Sequence, residues 1–65
     1  MKIVINAKLY DLPAVAYLPD AIALVQPAPP FAVAINMQFV PNSRYAQTLL
    51  HDGDKIEIIR PVTGG

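Results

Sequence analysis

Between Gln26 and Phe31 the chain reads Pro27-Ala28-Pro29-Pro30, three prolines in four residues. Proline offers no backbone N–H and fixes its own φ, so no helix can run through this segment and no central strand can contain it. The run divides the chain into two halves, each too short to bury a core alone. With 65 residues in total, it is a stiff extended connector inside one domain. The same residues also fit a ligand for a proline-recognition groove. A domain this small is stable only if nearly all its apolar side chains are used, and 54% apolar against 15% charged residues suits a folded chain.

Charge and residue usage narrow the partners. Five basic and five acidic residues are scattered and cancel, so neither nucleic acid nor an anionic membrane is an expected partner. No cysteine is present, which removes disulfides, thiolate metal sites and cysteine nucleophiles; no metal and no bound cofactor are expected. The apolar runs at 14–18, 21–25 and 31–35 fall far short of the roughly 18 residues that span a bilayer. Lys2 is followed by only three apolar residues before Asn6, too few for a signal peptide, and the expected location is the cytoplasm.

Residues 2–6 are short and β-branched, and Asn6-Ala7 can turn them into a second strand over 8–12, ended by Pro13. Pro19 suits a first helical turn, so a helix is expected over about 19–25, with Leu18, Ile22 and Val25 on one face. Phe31 to Ile35 alternates large and small, as a strand does with one face on a core, and Asn36-Met37 turns it into a short strand over 38–40, stopped by Pro41. One helical turn is expected within 43–50, capped by Ser43. After the turn Asp52-Gly53-Asp54, Ile56 and Ile58 point one way while Lys55, Glu57 and Ile59 point the other. A hairpin, a crossing helix and a returning hairpin, with the last strand beside the first, make a small mixed sheet packed on one helix. That is an α+β fold of the ubiquitin-like β-grasp kind; a small β-barrel fits the same order of elements.

Several blocks in the second half carry a resemblance. Ala32-Val33-Ala34-Ile35-Asn36, then Val40-Pro41 with Ser43-Arg44, then residues 52–59 (Asp-Gly-Asp-Lys-Ile-Glu-Ile-Ile), then Val62-Thr63-Gly64-Gly65 follow one another at characteristic spacing. In order, spacing and total length the chain resembles the thiamin-pathway sulfur carrier family, specifically over about 32–65 and in pattern only before that. It departs at Asn42, where the family usually has Arg, and at Tyr45, where an aromatic, often Trp, is usual. The helical segment also lacks the family's polar outer face. The approach Arg60-Pro61-Val62-Thr63-Gly64-Gly65 is similar to the small sulfur-carrying subunit of molybdopterin synthase as well.

The resemblance implies that the reacting group is the α-carboxylate of Gly65. At an ordinary pKa of about 3.3–3.7 this group is ionised at neutral pH and is a poor acyl electrophile. The implied chemistry is adenylation by an E1-like adenylyltransferase using ATP and Mg²⁺, displacement of AMP by sulfur from a persulfide donor, and delivery of that sulfur from a Gly65 thiocarboxylate to thiazole synthase. On this reading the chain is a carrier acted on by enzymes, monomeric when free. Gly64 and Gly65 let the backbone lie extended in a narrow channel, with Thr63 and Val62 at its mouth. Partner recognition is expected on the sheet face opposite the helix, where alternation places Val4, Ala32, Ala34 and Ile59 as a shallow apolar patch at the root of the tail. The alternatives are a molybdopterin-type carrier and a ubiquitin-like modifier whose tail forms an amide with lysine. His51 reads as a solvated turn residue, and Tyr10, Tyr17 and Tyr45 as aromatics at the edge of the core.

Overall fold

In the computed structural model, which describes residues 1–60, the first hairpin pairs β1 (Lys2–Ile5) with β2 (Lys8–Asp11). Ile5 stands opposite Lys8, which leaves Asn6 and Ala7 as a two-residue turn with φ of 49° and 67°. Two successive left-handed residues give a turn whose twist matches that of the strands, and asparagine enters this region more readily than most residues. The second hairpin, β3 (Ala32–Ile35) with β4 (Gln38–Val40), repeats the solution at Asn36 and Met37, with φ of 50° and 69°. Gly53, at φ 86°, then turns the chain into β5 (Lys55–Ile59).

The strands lie in the order β2-β1-β5-β3-β4, with β5 parallel to β1 and antiparallel to β3. Ile56 is the meeting point, opposite Ile5 on one side and Ile35 on the other. Helix α1 (Leu18–Val25) crosses between the hairpins and starts one residue earlier than the sequence indicates. Tyr17 is its extended N-cap, and the Asp20 carboxylate accepts the Tyr17 N–H at 2.8 Å. Pro19 sits in the first turn, where its missing N–H costs nothing. The helix ends at Gln26, whose left-handed backbone (φ 52°) donates its N–H to the Ile22 carbonyl just before the proline connector.

Leu18 and Ala21 of α1 are wholly buried with Ile3, Ile5, Val33 and Ile56, Ile58 is nearly so, and Ile22 and Val25 pack at the border of this core. Helix on one face of an open five-stranded sheet is the β-grasp arrangement; the sheet has two edges, β2 and β4, and is not a barrel. One local expectation is corrected. The segment before β5 holds a 3-10 helix over Asn42–Gln47, and its cap is Pro41. Ser43 lies inside that helix, because the tight turn closes one residue back, with the Arg44 N–H on the Pro41 carbonyl at 2.9 Å. Phe31 and Tyr45 stack with ring centroids 6.4 Å apart, tying the end of the connector to this helix.

Candidate functional site

The candidate site has two parts, a sheet face and the end of β5. Gly65, Gly64, Thr63 and Val62 lie outside the described residues. What the structure does describe is the strand that leads to them and the surface around it.

Cross-strand register sorts the outer face. Val4 stands opposite Leu9 and beside Lys55, Ala34 lies between Phe39 and Glu57, and Ala32 is opposite Ile59. Directly opposed residues share a face, so these side chains all point away from α1. Ile59 is 52% exposed, whereas Ala32, Ala34 and Val4 are half-buried. Ala32, Ala34 and Ile59 therefore come together beside the last residues of β5, as the alternation indicates. Val4 faces outward too, but it sits next to Lys55 at the beginning of β5, four residues from Ile59, or about 13 Å along the strand. Glu57 lies between them, so Val4 is not at the root of the tail.

Two apolar side chains on this face were not singled out from the sequence. Leu9 is 62% exposed and Phe39 70% exposed, on the two edge strands. Phe39 extends the Ala34 row outward, and Leu9 does the same beside Val4. The signal was present in the two-residue turns: once Val4 and Ala34 are outward, a tight hairpin puts Leu9 and Phe39 outward as well.

Asparagine side chains hold β5 at two places. At its beginning, Asn36 Nδ2 donates to Asp54 Oδ1 at 3.0 Å, and Asn36 Oδ1 accepts the Lys55 N–H at 3.0 Å. Asp54 is buried, with only 8% of its surface exposed, and its other oxygen accepts the His51 N–H at 2.8 Å. Near the strand's end, Asn6 Oδ1 accepts the Ile58 N–H at 2.9 Å, and Asn6 Nδ2 donates to the Ile58 carbonyl at 3.3 Å. A depression on the outer face lies against this second contact, lined by Val4, Asn6, Ala7, Lys55, Ile56 and Glu57.

Charges play a small part. Asp11 lies 3.4 Å from both the Lys2 ammonium and the Met1 amino group, and the Lys2 hydrogen bond, followed by that of the amino group, lowers its pKa below the ordinary value. His51 is exposed, with Nδ1 3.9 Å from Asp54, as expected of a turn histidine. Among the described residues no three His, Asp or Glu side chains are grouped to hold a metal ion, and no helix is long and apolar enough to cross a membrane.

Comparison with known proteins falls in line with this geometry. A crystal structure of thiamine biosynthesis protein ThiS from Geobacter metallireducens superposes with a TM-score of 0.82 over 100% of both chains, at 19% identity, a likeness of fold. The sulfur carrier protein ThiS of Escherichia coli (strain K12) is 44% identical over 34 residues, 52% of this chain and 52% of the relative. A thiazole synthase of Paramagnetospirillum magneticum is 50% identical over 34 residues, which are 52% of this chain and 10% of that protein. The matched part thus spans about half of one curated relative and a tenth of the other. The sequence model of the ThiS family matches residues 3–65, nearly the whole sequence, and the chain belongs to that family.

Proposed function

We propose that this chain is a sulfur carrier for thiazole formation in thiamin biosynthesis, with the carboxylate of Gly65 as the group that is loaded. The observation that carries this reading is the family match over residues 3–65, which takes in both the β-grasp body and the Gly64-Gly65 pair. The names of the two relatives, a sulfur carrier and a thiazole synthase, supply the substrate class and the acceptor. A carboxylate must be activated before sulfur can displace an oxygen, so an E1-like adenylyltransferase using ATP and Mg²⁺ makes the acyl adenylate. A persulfide donor then expels AMP to form an acyl disulfide, and a thiol cleaves its S–S bond, leaving the Gly65 thiocarboxylate and carrying the donor sulfur away as a disulfide. The carrier contributes the acyl group and the binding surface, and catalysis belongs to its partners in the cytoplasm.

Intact mass spectrometry tests the loading step. Incubation with an adenylating enzyme of this kind, ATP, Mg²⁺, a persulfide donor and a thiol reductant is expected to exchange one oxygen for sulfur at Gly65. Conjugates to lysine of other proteins would instead establish the modifier alternative, and support of molybdopterin synthase in place of thiazole synthase would establish the other. The surface is tested by Ile59→Asp. Since Ile59 is half exposed, its stability cost is expected to be about 0.5 kcal/mol, while kcat/KM for adenylation falls at least ~10-fold, equivalent to about 1.4 kcal/mol of lost complementarity. Unchanged turnover removes the outer face from the interaction.

A further inference from the structure

The end of β5 has a hydrogen-bonding deficit that one side chain fills. In a strand, successive residues direct their N–H and C=O groups to opposite neighbours. Toward β1, the Asn6 N–H still reaches the Ile56 carbonyl at 3.0 Å, but β1 stops at Ile5 and the chain turns away with Asn6 at φ 49°. Ile58 is the next β5 residue facing that side, and no main chain of β1 remains to meet it. The Asn6 side chain takes both of its polar groups, accepting the N–H at 2.9 Å and donating to the carbonyl at 3.3 Å. A carboxamide presents an acceptor oxygen and one of its N–H donors along a single edge, so the Asn6 side chain alone meets both polar groups of Ile58 and lengthens the parallel ladder by one rung.

We propose that Asn6 is a positioning residue for the reaction at the end of the chain: its amide fixes β5 through Ile58, and so sets the direction in which the chain passes from Ile59 and Arg60 into the segment that ends at Gly65. This rests on the carrier reading. Ile59 is held on its other side by Ala32 of β3, so the two contacts together fix the last two residues of the strand. A partner that docks on the outer face needs the following residues delivered at a set angle to its active site, and a loosely held strand end delivers them at many. Aspartate at position 6 accepts but cannot donate, and glutamine places the amide about one methylene too far.

Asn6→Gly separates the two duties of the residue, because glycine keeps the left-handed turn and lacks the amide. In the free protein, hydrogen exchange at the Ile58 N–H is expected to speed up at least ~10-fold relative to that at Ile56, with a thermal midpoint close to that of the unaltered chain. In adenylation assays kcat is expected to fall ~10-fold or more while KM for the carrier, set by the sheet face, changes less than ~3-fold. Asn36→Gly, which empties the matching turn position at the other end of the strand, is expected to leave both kcat and Ile58 exchange unaltered. Unchanged exchange at Ile58 overturns the inference without reference to function. Unchanged kcat in an Asn6→Gly protein whose parent is adenylated overturns it alone, as does an equal loss in Asn36→Gly. Failure of the unaltered protein to be adenylated overturns the carrier reading and this inference with it.

Discussion

The two hairpins are close copies in their turns and differ in what they do for the central strand. Both reverse at Asn-X with left-handed backbones, and both send the asparagine amide across to β5. Because β1 runs parallel to β5 and β3 antiparallel, the same turn falls at opposite ends of that strand. Asn36 is thereby joined to the buried Asp54 and the turn that starts β5, while Asn6 reaches the strand's last residues on a partly open surface. One local solution becomes a foundation in one place and a guide in the other. Strand direction alone makes the difference.

Substitutions can test how far the two hairpins are equivalent. The largest effect is expected at Ile56 of β5, which lies between Ile5 and Ile35 and so joins the two hairpins. Ile56→Ala should lower stability by about 3 kcal/mol, read from chemical denaturation, and in a domain this small that is a large share of the total. A loss below about 1 kcal/mol would mean that the hairpins do not share a core at this position. Next comes Asp54→Ala, which leaves the His51 N–H and the Asn36 amide without their acceptor. Its expected cost is about 2 kcal/mol, with faster exchange at His51 and no change at Ile58. A loss of protection spread equally over both hairpins would break the distinction drawn between them.

The smallest effect concerns charge, and it belongs to the first hairpin. Residues 32–40 include no ionisable side chain, whereas Asp11 of β2 pairs with Lys2. Its pKa is lowered in the folded chain, so unfolding favours protonation of this group. The stabilisation it gives is present above the ordinary carboxylate value of 3.8 and is lost as the pH falls through the lower folded value. Asp11 is exposed, so Asp11→Asn is expected to lower the thermal midpoint only slightly at neutral pH, and the difference should vanish at strongly acid pH. A difference that persists in acid would assign the effect to something other than this ion pair.

Much of this architecture was legible because local signals agreed with the fold. Asn6-Ala7 and Asn36-Met37 are turn pairs, Pro19 marks a first helical turn, and Ile56 and Ile58 alternate with Glu57 and Ile59. The same alternation identified Ala32, Ala34 and Ile59 as outward. For Val4 alternation settles the face and not the neighbourhood, since its position along β5 depends on a parallel register that no local residue encodes. Serine is a common cap, but an extended proline two residues before Ser43, with a tight 3-10 turn, leaves it no such role. Leu9 and Phe39 required the hairpin register to be carried over to the edge strands. The Asn6 and Asn36 contacts were hidden for a deeper reason. Each joins residues far apart in sequence, and a turn asparagine looks the same whether or not its amide has a partner.

The central place of β5 has a mechanical consequence. A partner that grips the chain beyond Arg60 and draws on it loads β5 lengthwise, and β1 and β3 both lie alongside that direction. The backbone bonds to each neighbour are then strained together in shear, whereas an edge strand could be peeled away one bond at a time. If the chain is the carrier proposed above, this construction would let it be pulled into one active site, released and pulled into another while the body behind it stays folded.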